Sequence, residues 1–339
     1  MASNTPMGVG IIGSGWVSGE HIKAYNENPH TTVKGMFTRN PVTGPLKLQE
    51  CQTEAKIFDT LDDMLRDPEI SIVSVCSPPD VHCEHVLKIA AAGKHILLEK
   101  PIAMNMDDVR RMEHAVKNAG AKSVVSFVLR WNPMFETTKK LLADDAIGDI
   151  MYIESDYWHW IGPHYAQHRW AKNKSAGGSS LLSAGCHAVD ALRWFGGEVE
   201  EVSGYSAPGL SDSEYEFDPN MVAILRFKNG AIGKVSSLLE CKTPYVFNVN
   251  ILGQKGSIRN NKVYSHKYPG ASGYFEYPTV LPDSGDVTHH PFKGEINHFV
   301  DCILNGKDTI CDISEAAKTM EVCFAIESSI KSGQPVKLS

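Results

Sequence analysis

Residues 7–27 constrain the fold of this chain more than any other stretch. Met7-Gly8-Val9-Gly10-Ile11-Ile12 is a short apolar run, Gly13-Ser14-Gly15 follows at once, and Glu20 to Asn26 is helical in character. A strand that breaks into glycines and resumes as a helix opens a βαβ unit. Gly13 permits the tight turn, and Gly15 lets the backbone approach a ligand seated on the helix N-terminus. The ligand that suits such a turn is the pyrophosphate of a dinucleotide. Gly13, Gly15, Trp16 and Val17 are therefore the first cofactor-binding candidates. Ser18 stands where the fingerprint has its third glycine, so helix and strand must pack over a small hydroxyl.

The pattern then repeats. Thr32 to Phe37 reads as a second strand, and it ends in Thr38-Arg39 where a ribose-binding acid would normally stand. An uncharged residue followed by arginine can accept a 2′-phosphate, or the guanidinium can stack on adenine, so NAD and NADP both stay open. A short helix over 59–67 precedes a strand over 70–76. Ser77-Pro78-Pro79 then makes a stiff turn, with His82 opening the next helix. Ser77, Pro78 and His82 are placed at the cofactor. His95 to Leu98 is an apolar run that ends abruptly in Glu99-Lys100-Pro101, and a helix over 106–118 leads to an apolar strand over 123–129. Strand and helix alternating in this way indicate a mostly parallel sheet buried on both faces. Glu99 and Lys100 stand at a strand's carboxyl end, where open α/β sheets bind ligands. Pro101 biases Lys100 toward an extended backbone.

Totals exclude other classes. The chain has 339 residues, enough for roughly two domains. Its formal net charge is −7, and no basic block favours nucleic acid. No apolar run approaches the ~18 residues of a membrane span, and the N-terminus lacks a signal-peptide pattern. Eight scattered cysteines without metal spacing fit reduced thiols, so a cytoplasmic protein is expected. No metal site is expected; His164 and His168 have helical spacing but lack a third ligand.

In the second half, Arg130-Trp131-Asn132-Pro133 closes the last parallel strand, and Arg130 is expected to point into the cleft, toward a substrate hydroxyl or the nicotinamide side. Met151 to Trp158 starts a new sheet and runs into a loop, 159–170, rich in aromatics and histidines. Flat apolar walls with a few placed donors suit a carbohydrate, which makes Tyr157 and His159 substrate candidates. Farther on, Ser183, His187 and Asp190 are spaced four and three apart and share a helical face, with Gly185 leaving room for a ligand, so Ser183 and Asp190 are substrate candidates. Runs over 200–206, 221–227, 231–240, 245–252 and 256–264 read as antiparallel strands. Their open face is expected to be covered by a second copy of the chain, as a dimer or tetramer. His289-His290 could reach a substrate. Helices are expected over 295–304 and 314–332, the last one packing back on the first domain.

These motifs together resemble the Gfo/Idh/MocA oxidoreductases. The likeness rests on Gly-x-Gly, Ser77-Pro78-Pro79 with His82, Gly93-Lys94-His95-x-x-x-Glu99-Lys100-Pro101, Arg130-x-x-Pro133, the Gly177-Gly178…His187…Asp190 segment and Asn297-His298-Phe299. It implies an α/β Rossmann domain, residues 1–130, followed by an α+β domain with an open, mostly antiparallel sheet, residues 131–339. It implies NAD- or NADP-dependent hydride transfer at a hydroxyl of a sugar, glycoside or cyclitol. It places Lys100 in the active site, with a following peptide bond that is often cis, and Arg169 and Trp170 near the nicotinamide. His187 is read as the acid/base, with Lys100 polarising the oxygen and sharing the proton. Ser183 stands where the family has the first Asp of Asp-x-x-x-His-x-x-Asp. Two other readings are an NAD-dependent glycoside hydrolase or lyase acting by transient oxidation, and a non-catalytic nucleotide-sensing regulator.

Overall fold

The computed structural model describes residues 5–165, 167–270, 272–282 and 290–338. The chain forms two compact units, 1–128 with 291–317, and 129–290 with 318–339. The first boundary falls close to the expected one at 130, but 291–317 returns to the first unit.

The first unit is built on β1 (Met7–Ile12), α1 (Trp16–Glu27), β2 (Thr31–Phe37), α2 (Thr43–Glu50), β3 (Lys56–Phe58), α3 (Leu61–Arg66), β4 (Ile70–Val75), α4 (His82–Ala91), β5 (His95–Leu98), α5 (Met106–Ala119) and β6 (Ser123–Val125). The six strands are all parallel in the order β3-β2-β1-β4-β5-β6. That order reverses between β1 and β4, and the crevice beyond their carboxyl ends is where doubly wound sheets take ligands. The sequence explains β1's central place. Val9, Ile11 and Ile12 are all buried, each contributing roughly 1.5–3 kcal/mol. A side chain at Gly8 would lie 2.0 Å from the Glu69 carbonyl oxygen, so this strand admits none there. The sixth strand is shorter than expected. After Val125 the ladder takes one more bond, Ser126 N–H to Leu98 O at 2.8 Å, and residues 128–131 turn into a 3₁₀ helix.

The second unit continues with α6 (Pro133–Ala143), β7 (Ile150–Trp158), α7 (His168–Ala171), α8 (Cys186–Gly196), β8 (Val199–Ala207), β9 (Asn220–Phe227), β10 (Ile232–Leu238), β11 (Val246–Gly253), β12 (Gly256–Arg259), β13 (Lys262–Ser265) and β14 (Phe275–Glu276). Pro133 opens α6 as expected, with Asn132 Oδ1 accepting from the Met134 N–H at 2.9 Å. The run over 256–264 divides in two because Asn260 turns the chain at φ +51°. α9 (Phe292–Asn305) then joins the first unit, where Asn28 Nδ2 donates to Asn297 Oδ1 at 2.7 Å. α10 (Ile313–Ser332) starts at an Asp312 cap and runs on into the second unit. There Ile326 and Ile330 fill the space that Gly204 leaves on β8, and β15 (Val336–Lys337) closes the sheet.

The second sheet has the order β14-β13-β12-β11-β7-β10-β9-β8-β15. It is antiparallel except where β7 pairs with β10, so it is an open, mostly antiparallel sheet. Alternation in β9 assigns its two faces: Met221, Ala223 and Leu225 are buried, Val222 and Ile224 exposed. Among the described residues, no helix is long and apolar enough to cross a membrane. All eight thiols are free.

Candidate active site

In the first unit the nucleotide turn has the features of a pyrophosphate cradle. Gly13 sits at φ +98°, and a side chain there would come within 2.7 Å of the Cys76 carbonyl oxygen. Gly15 is extended and heads α1; a Cβ on it would meet nothing within 4 Å. No side chain caps α1 and no acid occupies its first turn, so its leading N–H groups, with Trp16 and Val17, are available to an anion. The residues present therefore fit a dinucleotide.

At the tip of β2, Ser14 Oγ lies 3.0 Å from Thr38 Oγ1 and 2.5 Å from Thr43 Oγ1, a cluster of three hydroxyls. Exposed Arg39 lines a cavity of about 310 Å³ with Phe37, Val81, His85 and Lys88, which could hold an adenosine. Lys88 is engaged there by Asp62 and Glu84. Ser77 Oγ bonds His85 Nδ1 at 3.0 Å, and Pro78 beside it is exposed. Burial, with His82 nearby, lowers the His85 imidazole to about 4.

His82 has a different place from the expected one. It is 0% exposed, with Nε2 at 2.8 Å from Ser77 O and Nδ1 at 3.0 Å from Pro101 O. It ties the turn after β4 to the turn after β5 and presents nothing to a cofactor. In the second of those turns the Lys100–Pro101 peptide is cis and Lys100 is half-buried. Glu99 is buried against His21.

The second unit carries the other candidates. A π-helical turn, Leu181–Gly185, leads into α8, and such turns recur at functional sites. It breaks the regular phase between Ser183 and His187 that α-helical spacing implied. The Ser183 hydroxyl donates to Ser179 O at 2.8 Å. Gly185 serves packing and leaves no opening for a ligand: a Cβ there would lie 2.6 Å from Ser237 of β10. His187 is buried at the head of α8. Arg130 and Asp190, expected to face substrate, face each other. Arg130 Nε and Nη2 donate to Asp190 at 2.8 and 2.6 Å, Thr319 Oγ1 donates at 2.9 Å, and both partners are almost fully buried.

Tyr157 and His159 belong to an aromatic group that also contains Tyr165 and Tyr245. The His159 ring lies 4.7 Å from Tyr165 and 5.0 Å from Tyr245, and Tyr157 lies 5.2 Å from Tyr245. Tyr245 leads on to His290 at 6.4 Å, and His290 to His187 at 6.5 Å. Burial, with His164 adjacent, lowers His159 to about 4. Arg169 and Trp170 lie on the short α7, Arg169 exposed and Trp170 half-buried. His164 is in a loop against Trp160, and His168 packs on Tyr215. His289 lies outside the described residues. Residue-by-residue reading missed Tyr245, whose position beside Tyr157 depends on the β7–β11 pairing. It also missed His21 and Glu295, although each is a titratable residue on an otherwise apolar helical face, which was a usable signal.

Residues 7–127 match the family described as "Oxidoreductase family, NAD-binding Rossmann fold", and residues 135–259 match the "GFO/IDH/MocA C-terminal domain". This chain belongs to the Gfo/Idh/MocA oxidoreductase family. It is 25% identical over 288 residues to the scyllo-inositol 2-dehydrogenase (NAD(+)) of Bacillus subtilis, covering 81% of this chain and 80% of that one. It is 30% identical over 256 residues to the trans-1,2-dihydrobenzene-1,2-diol dehydrogenase of Xenopus laevis, covering 74% and 75%. A solved levoglucosan dehydrogenase, in complex with NADH and levoglucosan, shares the fold at a TM-score of 0.89, with 23% identity and coverage of 98% and 99%.

Proposed function

We propose that this member of the family is an NAD(P)-dependent dehydrogenase acting on a secondary hydroxyl of a sugar, glycoside or cyclitol. The observation that carries the reading is that one unit holds both the open, uncapped nucleotide turn and Lys100 at the tip of β5. When bound, the nicotinamide coenzyme supplies the hydride acceptor or donor. The chain's own residues must bind that coenzyme, orient the substrate and move the hydroxyl proton. Gly15, Trp16 and Val17 offer backbone to the pyrophosphate, and the cavity beside Arg39 takes the adenosine. Lys100 brings three donors that can polarise the reacting oxygen. His187 is the proton acceptor in the oxidative direction, a task suited to a positioned imidazole. Arg169 and Trp170 remain candidates for the nicotinamide end.

Substrate class is supported by two features. The aromatic group of Tyr157, His159, Tyr165 and Tyr245 offers ring faces and few charges, which suits a hydroxylated ring. The relatives named above act on an inositol and on a dihydrobenzene diol. Purified protein should reduce NAD or NADP with at least one cyclic polyol or glycoside. Lys100→Ala and His187→Ala should each lose on the order of 10²-fold in kcat while still binding coenzyme. Failure of the wild type to reduce either coenzyme with any such compound, and to bind either, would refute the reading.

The exposed face of the second sheet supports a homo-oligomer. Val222, Ile224, Ile232 and Leu252 stand exposed on it, and contiguous exposed apolar residues mark interaction surfaces. Light scattering should give a multiple of the chain mass, and Ile224→Lys should reduce it.

A further inference from the structure

Behind the strand tips of the first unit lies a buried polar cluster that the chemistry above does not use. His21 on α1 is fully buried, with Nδ1 2.7 Å from Ser74 Oγ and Nε2 3.1 Å from Glu99 Oε1. The other Glu99 oxygen accepts from the backbone N–H of Lys100 at 3.2 Å. Glu295 on α9 is 0% exposed; its Oε2 accepts from the Ser126 hydroxyl at 3.0 Å, and its Oε1 meets no partner among the described residues. The Phe292 ring, 5.1 Å from His21, adds an apolar wall.

Two carboxylates and one imidazole thus share a buried volume. An unpaired buried charge is strongly unfavourable, so the stable arrangement has one cation and one anion. Glu99 is the anion, since it touches His21 and adjoins Lys100. Glu295, with one oxygen unpaired, is the neutral acid. Burial alone would strip the His21 proton, but Cys76 and Glu99 outweigh it and hold the imidazole well above its ordinary value. Burial would raise Glu99, but the bond to His21, with the charges of His21 and Lys100, keeps it below the ordinary value. Burial raises Glu295 to about 8; the His21 charge opposes the rise, and the Glu99 charge adds to it. The other titratable groups facing this cluster are Tyr25 on α1, Cys76 after β4, His82 on α4 and Lys100 after β5.

We propose that His21 and Glu295 are positioning residues for Lys100. A charged His21 and a neutral Glu295 leave Glu99 as the single buried anion, and Glu99 fixes the backbone N–H of Lys100. Ionisation of Glu295 sets a second negative charge in the cluster and competes with Glu99 for the one hydroxyl hydrogen of Ser126. The hold on Lys100 then loosens. The link to turnover rests on the proposed role of Lys100; the structural hold does not.

The test follows the Lys100 backbone amide by NMR in the full chain as pH is raised. Its resonance should step with a midpoint near 8 in the wild type, and the step should vanish in Glu295→Gln. His21→Asn should displace the same resonance below that pH as well. In turnover, kcat should fall above about pH 8 in the wild type and stay level in Glu295→Gln, with the coenzyme dissociation constant unchanged in both. An amide step that is absent from the wild type, or that persists in Glu295→Gln, overturns the proposal. So does an alkaline loss of kcat identical in the two proteins. A wild type with no dehydrogenase activity would count against the functional reading alone, and the amide titration would still decide the positioning.

Discussion

Replacing Asp190 with alanine separates a structural from a substrate-binding role for the residues at the head of α8. The carboxylate accepts two hydrogen bonds from Arg130, at 2.8 and 2.6 Å, and one from Thr319 at 2.9 Å. Arg130 is 1% exposed and Asp190 3%. Asp190→Ala leaves a guanidinium buried without its counter-charge, and breaking such a pair costs about 3–5 kcal/mol. Converting the pair to apolar residues of similar volume, Arg130→Met with Asp190→Leu, removes both charges and should recover most of that loss. Trp16 apart, the tryptophans, five of the six, lie in residues 129–290, so their fluorescence in a urea titration reports mainly the second unit. A cost under about 1 kcal/mol for Asp190→Ala, or a double variant no more stable than the single, would refute the assignment. A substrate-binding Asp190 would instead show an intact unfolding midpoint and a raised KM.

Three further outcomes are expected. Because the folded pKa of Glu295, about 8, lies above the ordinary 4.5, the folded state keeps a proton the unfolded chain has released between those values. Wild-type stability should therefore fall relative to Glu295→Gln by about 1.4 kcal/mol per pH unit across that window and level off above it; parallel calorimetric profiles would contradict this. Gly185→Ala should cost about 1–3 kcal/mol by overpacking Ser237, and Ser237→Gly should restore much of it; an unaltered melting temperature would mean the space is open. Arg39→Ala should weaken NADPH about tenfold more than NADH in calorimetric binding, since a charge-assisted bond to a 2′-phosphate is worth roughly 1.5–3 kcal/mol. Equal losses for the two coenzymes would instead assign the guanidinium to adenine.

Local rules alone determined much of this protein. Apolar runs ending in glycines, prolines or charge placed β1, β4 and β5, and the alternation of strand and helix identified the parallel sheet. Those signals are local: burial on both faces demands a continuous apolar run, and a tight turn at positive φ demands Gly13. The open antiparallel sheet was legible for the same reason, because period-two patterning survives in β9. What required the tertiary structure was the assignment of partners. Arg130 and Asp190 are 60 residues apart, and only packing turns them toward each other. Gly185 appeared to leave room for a ligand until Ser237 arrived from another strand. His82 stands in a recognisable motif, but its task depends on two turns meeting around it. His21 and Glu295, 274 positions apart in the sequence, enter one buried charge balance with Glu99 because α9 returns to the first unit. Periodicity shows which face of an element is apolar; whether a polar residue on that face meets a ligand or a countercharge is set by whatever the fold packs against it.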